Sequence, residues 1–355
     1  MNEQNYENYW KLTLEYTNFN GDNFLMTLKT IVKFIDDNKF DKVYRKERYV
    51  SLQNEVNHKI PKTDMASVRK SINQFVKLGF IKDLISYNQE TIEFLNAKTD
   101  KQRKSIFSKI VYKYSSFNSS ITHPHNWSQI NFLLKTLEEI GKLHKLEVIA
   151  LMLVDIEKHN KGYVNQTELN DYTNIAKSNG FIERKYNQVG YLFNLLKKLD
   201  DIIFINDNLY FTDEAKKIFR EVSKIATKKK RDGYLHLLYK RQLQAESTEM
   251  LGQIKCMLEK LSYPSLVASH IKPFIQSNES EAYDPNNGLL LSRNMDILFD
   301  QGYISFQDNG KLMLSSQLNQ DVINSLYNYQ LDNTFINSNR KRYLNYHRTF
   351  IFKNR

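Results

Sequence analysis

The sequence predicts an α+β fold that is predominantly helical and divided into two or three domains. Three observations predict it. The chain has 355 residues, enough for several hydrophobic cores. Apolar residues recur at helical spacing through most of the first 240 residues, with short β-prone stretches between the helices. A strand, a loop and a helix are then predicted between residues 256 and 306, where the sequence becomes most specific.

The composition is ordinary for a globular protein, and its basic balance suits a polyanionic partner. No run of about 18 apolar residues is present, so no membrane-spanning helix is expected. The start, MNEQNYENYW, lacks the regions of a signal peptide, and we expect a cytoplasmic location. The net charge of +11 suits nucleic acid, because neutralised phosphates release counterions. Charge alone does not decide this, since many Lys- and Asn-rich proteins are basic from genome composition.

The single cysteine, Cys256, excludes an intrachain disulfide and a four-cysteine zinc site. Without partner cysteines, we expect it to be a buried packing residue.

The first helical region has the element order of a winged-helix module. Residues 65–79 place apolar side chains on one helix face, and Gly79 is a suitable end for that helix. Two β-prone stretches follow, residues 80–85 and 91–95, on either side of a turn-like Tyr-Asn pair, and they predict a small hairpin. The alternative is a helical domain of no particular purpose.

A second winged-helix-like order is predicted further along the chain. Helices are predicted at residues 146–156, 167–178 and 186–199, and a hairpin at residues 201–211. The charged run at residues 228–233 is typical of a linker. The predicted division is therefore a winged-helix-like DNA-recognition region (1–130), a second such region (131–240) and a C-terminal domain (241–355).

If the first winged-helix prediction holds, its third helix would present four polar side chains away from the apolar face. These are Arg69, Lys70, Asn73 and Lys77. Arginine and asparagine can make paired hydrogen bonds to guanine and adenine edges in the major groove. The alternative is a solvated helix surface.

The segment from residue 256 to 306 carries the predicted chemistry. Residues 266–271 predict a strand that ends at Pro273, and a helix is predicted from near Ser292 to before Gly302. His270 and Asn287 lie at the junctions of these elements. A strand, loop and helix with one histidine and one asparagine at the junctions indicate the ββα unit of a one-metal nuclease.

This segment resembles the HNH endonuclease family. The matching stretches are Ser-His-Ile-Lys-Pro (269–273), Asp-Pro-Asn-Asn-Gly-Leu-Leu-Leu (284–291), Leu-Phe-Asp-Gln-Gly (298–302) and, near the C-terminus, Tyr-Leu-Asn-Tyr-His-Arg (343–348). The resemblance covers about residues 250–355 and implies a ββα-metal nuclease domain there. It implies little about residues 1–240.

The resemblance also implies roles for individual residues. His270 matches the general base that takes a proton from the attacking water, and Asn287 matches the residue that orients that base. Asp296 stands where the family usually has a metal-binding His or Asn. A carboxylate suits Mg²⁺, with Mn²⁺ as an alternative. Ser269 stands where many relatives have a second metal-binding Asp, so the ion would keep more water or use phosphate oxygens.

Four further residues near these motifs have open roles. Lys272 and Arg293 lie close in sequence to the motif residues and either hold phosphates or are solvated. His347, followed by Arg348, matches the family's C-terminal His-Arg pair. His347 lies either near the metal and scissile phosphate or in a structural, hydrogen-bonded position.

The function that the resemblance implies is a type II restriction endonuclease, which cuts double-stranded DNA at a specific sequence. One HNH site cuts one strand, so we expect a homodimer at least on DNA, and a DNA methyltransferase encoded nearby. Alternatives in the same class are a modification-dependent, nicking or homing nuclease. An alternative from another class is a non-catalytic DNA-binding regulator with a degenerate domain, which only the Asp296 and Ser269 departures support.

Overall fold

The computed structural model describes residues 9–39, 45–82, 86–212 and 231–353. The chain forms two compact units, Met1–Lys216 and Lys217–Arg355. A single helix, Gly233–Leu251, spans the predicted boundary near residue 240, and the division into three regions stays a prediction. Within the described ranges, no helix is long and apolar enough to span a bilayer.

The first half of the N-terminal unit is helical around an aromatic core. Its helices are α1 (Asp22–Asp37), α2 (Lys46–Lys59), α3 (Met65–Lys77), α4 (Gln89–Asn96) and α5 (Asp100–Tyr114). The rings of Phe24 and Phe75 have centroids 4.7 Å apart, and those of Phe80 and Phe94 are 4.9 Å apart. All four rings are fully buried. Buried aromatic pairs add packing energy to a large apolar area, so this cluster organises the helices.

The hairpin predicted at residues 80–95 is wrong over its second stretch. Residues 91–95 lie in α4, and the β pairing described here is a single bridge between Ile81 and Tyr87; residues 83–85 lie outside the described ranges. Helix α4 forms because Phe94 and Thr91 share one face that is buried on the core. The Thr91 hydroxyl also donates to the Phe80 carbonyl (2.7 Å). Tertiary packing therefore overrides the β propensity of this stretch.

The second half of the N-terminal unit combines helices with a small antiparallel sheet. Its elements are α6 (Gln129–Ile140), β1 (Leu143–His144), α7 (Lys145–Leu151), α8 (Gln166–Ser178), α9 (Phe181–Arg184), α10 (Tyr186–Leu196), β2 (Ile202–Ile205) and β3 (Asn208–Phe211). The strand order is β1-β3-β2. The predicted hairpin is confirmed, with Asn206 and Asp207 at positive φ in its turn. The first predicted helix ends earlier, at Leu151.

An N-terminal extended segment ties the two halves of this unit together. The Trp10 indole N–H donates to the Val154 carbonyl (3.0 Å), just after α7. The Tyr16 backbone N–H donates to Gln74 Oε1 (2.9 Å), on α3. Because both halves bond to one segment, they belong to a single compact unit.

The C-terminal unit contains the elements predicted for the specific segment. They are α11 (Gly233–Leu251), β4 (Val267–His270), α12 (Glu279–Ala282), β5 (Gly288–Leu291), α13 (Arg293–Asp300), β6 (Ile304–Phe306), β7 (Leu312–Leu314), α14 (Gln320–Leu326) and α15 (Ser338–Phe350). Strands β4 and β5 pair antiparallel, with His270 opposite Gly288. Ser292 caps α13 by accepting from the Met295 N–H. The predicted strand and helix are confirmed.

Candidate active site

His270 is the last residue of β4, and its ring is buried in a defined orientation. Its Nε2 lies 2.9 Å from the Ala282 carbonyl oxygen. A carbonyl oxygen can only accept a hydrogen bond, so Nε2 carries the hydrogen. In the neutral ring, Nδ1 is then the nitrogen that can accept a proton. The loop that supplies this carbonyl therefore selects the tautomer.

Asn287 is fully buried at the end of the same loop and ties it to β5. Its Oδ1 accepts from the Lys272 N–H (2.7 Å). Its Nδ2 donates to the Glu281 carbonyl (3.0 Å) and lies within hydrogen-bond distance of the Ser277 hydroxyl and the Lys272 carbonyl. These bonds hold the loop between residues 271 and 287 in the shape that brings the Ala282 carbonyl to His270.

Asp296 lies in the first turn of α13, beside the residue that precedes the histidine. Burial raises the pKa of the Asp296 carboxyl, and the nearby Asp300 charge raises it further, while the Ser269 hydroxyl opposes the rise. Ser269 Oγ is itself buried and makes no hydrogen bond of ordinary geometry to any described residue. A half-buried carboxylate beside a buried hydroxyl forms a small oxygen-rich site.

This donor set fits one class of metal ion better than another. Among the described residues, no three His, Cys, Asp or Glu side chains are grouped as a metal cage. Zn²⁺ in catalytic sites takes three protein ligands. Mg²⁺ is commonly held by one or two carboxylates and keeps several waters or takes phosphate oxygens. Asp296, with Ser269 beside it, is a donor set that would suit a hard divalent ion such as Mg²⁺ or Mn²⁺.

Three residues around the start of α11 belong to the site and were not predicted from the sequence. The Tyr239 ring stacks on His270, with centroids 4.8 Å apart and an interplanar angle of 21°. The His236 ring lies 6.3 Å from His270 at 15°, and burial lowers the pKa of His236 to about 3. A His and a Tyr three residues apart in an apolar helix are a weak sequence signal, and they precede the recognisable motif.

The third residue, Arg231, brings a positive charge to the same region. Its guanidinium lies 4.7 Å from the centroid of the Phe274 ring, which contacts His270 edge-on. Burial lowers the pKa of Arg231, and the negative charges of Asp296 and Asp300 partly offset that effect. Arg231 Nε is buried and has no hydrogen-bond partner among the described residues.

Lys272 and Arg293, for which phosphate contact was one of two open roles, differ in their surroundings. The Lys272 ammonium lies 2.6 Å from the Glu281 carboxylate, in an ion pair that helps to fix the loop. Arg293 is exposed at the first position of α13, three residues before Asp296. Of the two, Arg293 is the more accessible to a DNA backbone.

His347 and Arg348 occupy positions with internal hydrogen bonds. The buried His347 ring stacks on Phe299 (4.0 Å between centroids) and is hydrogen bonded to the Ser305 hydroxyl (2.9 Å) and the Phe299 carbonyl (3.0 Å). Burial lowers the pKa of His347 to about 4. Arg348 donates to the Phe306 carbonyl (2.8 Å). These contacts favour the structural alternative for His347. Cys256 is fully buried.

The four α3 residues differ in their exposure. Arg69 is exposed, whereas the Lys70 ammonium lies 3.3 Å from the Glu15 carboxylate and Asn73 Oδ1 accepts from the Ile121 N–H (2.9 Å). The buried Lys77 ammonium donates to the Lys11 carbonyl (2.9 Å) and to the Phe117 carbonyl. Lys77 is therefore an internal residue in this structure, contrary to its predicted place on an exposed recognition surface.

Comparison with known proteins agrees with the geometry of the C-terminal unit. The pattern of the HNH endonuclease family matches residues 256–307, from the segment before β4 to just after β6. No curated protein matches the chain. The matched range contains His270, Asn287 and Asp296, on the strand, loop and helix described above. This chain therefore carries an HNH endonuclease domain, the domain of a DNA-cleaving hydrolase.

Proposed function

We propose that the protein is a type II restriction endonuclease that hydrolyses phosphodiester bonds in double-stranded DNA at a specific sequence. The observation that carries the proposal is the contact of 2.9 Å between His270 Nε2 and the Ala282 carbonyl oxygen. Because Nε2–H is bonded to the Ala282 carbonyl, Nδ1 is the proton acceptor of the neutral ring. That is the tautomer required of a general base that takes up a proton at Nδ1.

In the proposed reaction, His270 Nδ1 takes a proton from a water molecule. The water oxygen attacks phosphorus as the bond to the leaving 3′ oxygen breaks, and that oxygen acquires a proton from solvent. A bound divalent ion, Mg²⁺ or Mn²⁺, would supply positive charge that offsets the negative charge developing on the phosphate. Asp296 would hold the ion. Asn287 keeps the loop in place, and with it the Ala282 carbonyl that contacts His270. Arg293 is accessible for a flanking phosphate.

Sequence recognition is assigned in this proposal to the N-terminal unit. Support comes from the order α6-β1-α7-α8-α9-α10-β2-β3 with a β1-β3-β2 sheet, which is similar to the order expected of a winged-helix module and has additional helices before β2. Phosphate contacts alone carry no sequence information, so a nuclease domain needs a base-reading partner. We further propose a homodimer on DNA, a companion methyltransferase encoded nearby and a cytoplasmic location.

The proposal is tested by digesting plasmid DNA with the purified chain in Mg²⁺, Mn²⁺ or EDTA. The variants are His270→Ala and, as a matched control, His58→Ala, which removes an exposed histidine on α2. Discrete fragments that require a divalent ion, survive His58→Ala and disappear with His270→Ala are the expected result. A His270→Ala protein that still cuts at the wild-type rate would remove the histidine from the chemistry.

The substrate's methylation state separates the alternatives within the nuclease class. Cutting of unmethylated DNA alone supports a restriction enzyme, and cutting of methylated DNA alone supports a modification-dependent nuclease. A product that is only nicked identifies a nicking enzyme. If the protein binds duplex DNA but does not cleave it with any divalent ion, the remaining alternative is a non-catalytic DNA-binding regulator.

A further inference from the structure

Helix α11 lies outside the residues matched by the HNH family, yet one of its side chains contacts the His270 ring and both strands beside it. Tyr239 is buried, and its hydroxyl lies 3.3 Å from the Ser269 carbonyl and 3.1 Å from the Asn287 carbonyl. Ser269 immediately precedes the histidine on β4. Asn287 immediately precedes β5. One hydroxyl group therefore bridges both strands at the point where the loop between them begins and ends.

The Tyr239 ring also fixes the histidine ring itself. It stacks on His270 at 4.8 Å between centroids and 21° between planes. Phe274 closes the edge of the imidazole at 5.8 Å and 72°. With Nε2 bonded to the Ala282 carbonyl, the imidazole is held by its face, its edge and one nitrogen. Such contacts restrict rotation of the ring about its side-chain bonds.

We propose that Tyr239 is a positioning residue for DNA cleavage, because its hydroxyl joins the carbonyls of Ser269 and Asn287 while its ring supports His270. The inference rests on the proposed nuclease function. Tyr239 does not exchange protons itself: burial raises the pKa of its hydroxyl well above the ordinary value, so the group stays neutral. Its effect is on where His270 Nδ1 points, and small displacements of a reacting group are costly in rate.

Two substitutions separate the hydroxyl from the ring. Tyr239→Phe removes the bridge between the strands and keeps the stacked ring, whereas Tyr239→Leu removes both. Tyr234→Phe, a buried tyrosine on the same helix, is the matched control. Thermal unfolding of each variant is measured first, so that rates are compared under conditions where each protein is fully folded.

The first readout compares the effect of each substitution on the DNA cleavage rate with its effect on DNA affinity. We expect Tyr239→Phe to lower the single-turnover cleavage rate by about 10- to 100-fold and to leave the Kd for duplex DNA, measured in EDTA, within about twofold of wild type. Tyr239→Leu is expected to be slower still, and Tyr234→Phe to cut at the wild-type rate. A Tyr239→Phe rate equal to that of Tyr234→Phe would overturn the proposal.

The second readout does not depend on activity. The chain has eight histidines, so selective labelling gives few ring signals in an NMR spectrum. The His270 signal, identified by its loss in His270→Ala, should stay near its wild-type shift in Tyr239→Phe and move in Tyr239→Leu as the ring current is lost. An unmoved signal in Tyr239→Leu would overturn the ring's role. If the wild-type chain cut no DNA, the nuclease proposal would fail, but this measurement would still show whether Tyr239 positions the His270 ring.

Discussion

Gly288 and Tyr239 share a space that admits no additional atom: a Cβ at residue 288 would lie 2.1 Å from the tyrosine hydroxyl oxygen. Gly288 opens β5 directly opposite His270, so its backbone is the surface against which Tyr239 packs. The glycine of the Asn-Gly pair is thus required by close approach of a helix that lies nearly fifty residues earlier in the chain.

We expect Gly288→Ala to be destabilising and to slow cleavage. The new methyl group must displace the Tyr239 side chain or β5, and overpacking of this kind costs about 1–3 kcal/mol. Urea unfolding measures the cost. The control is Gly190→Ala on α10, where a Cβ meets nothing within 4 Å and helix propensity favours alanine. Equal stabilities for Gly288→Ala and wild type would show that the two residues do not compete for this space.

A double-mutant cycle adds a stricter test of the same contact. Tyr239→Phe removes the closest atom, so Gly288→Ala should cost less in that background. An interaction energy of at least about 0.5 kcal/mol is expected for residues in contact. Strict additivity would contradict the geometry.

Asp296→Asn is expected to abolish divalent-ion binding while stabilising the ion-free protein at neutral pH. The folded-state pKa of Asp296 is raised, so its ionised form is less favourable in the folded chain than in the unfolded chain. The stability linked to the protonated group is present at acidic pH and is lost as pH rises through that pKa. The advantage of asparagine should therefore shrink as pH falls.

Thermal unfolding with and without Mg²⁺ checks both parts of this prediction. Mg²⁺ should raise the Tm of the wild type by binding the folded state, and it should not raise that of Asp296→Asn. Asp308→Asn, at an exposed carboxylate that pairs with Arg348, is the control for loss of one negative charge. A Mg²⁺-dependent rise in Tm that persists in Asp296→Asn would place the ion elsewhere.

The elements of the C-terminal unit were predictable because their signals are local. Residues 266–271 are mostly apolar and are followed closely by Pro273, and the next predicted helix has a serine cap and a glycine after its end. The error at residues 91–95 has a different origin. Thr91 and Phe94 are buried by contacts with the aromatic core, so a β-prone segment becomes helix α4 through partners that are distant in sequence.

The site was predictable only in part, for the same reason. His270, Asn287 and Asp296 lie within one recognisable stretch, whereas Arg231, His236 and Tyr239 precede it on or next to α11. They lie close to His270 because α11 packs on strands β4 and β5, and a local sequence pattern does not predict this packing. The prediction that Lys77 lies on a recognition surface was wrong because α3 is buried beyond its apolar face. The Lys77 ammonium is hydrogen bonded to two carbonyls.

Lys77→Met is expected to leave DNA binding unchanged and to lower stability. Methionine has a side chain of similar length, but it leaves the Lys11 and Phe117 carbonyls without this donor. Unsatisfied buried groups of this kind lower the free energy of unfolding by about 1–3 kcal/mol. Arg69→Gln, at the exposed residue on the same helix, is the comparison. If α3 contacts DNA, only Arg69→Gln weakens binding and reduces the slope of log Kd against log salt. A weaker DNA complex in Lys77→Met at matched folding would contradict the internal assignment.

His347→Gln is expected to lower stability at neutral pH without removing the chemistry. The folded-state pKa of His347 is about 4, below its ordinary value of 6.5, because of burial. A histidine with a depressed pKa stabilises the fold above pH 6.5, and this contribution is lost as pH falls from 6.5 toward 4. The full effect is on the order of 3 kcal/mol. Glutamine does not titrate, so the difference in stability between wild type and variant should narrow over that range.

Urea unfolding at pH 7.5 and pH 5 measures this difference, and buried His236, present in both proteins, cancels from it. Cleavage by folded His347→Gln should remain close to wild type, unlike that of His270→Ala, because the His347 ring is hydrogen bonded to Ser305 and Phe299 and not to the loop that contacts His270. If the difference in stability between wild type and His347→Gln were the same at both pH values, titration of His347 would not contribute to stability. A cleavage rate as low as that of His270→Ala would instead place His347 at the scissile phosphate, the alternative that the C-terminal His-Arg pair left open.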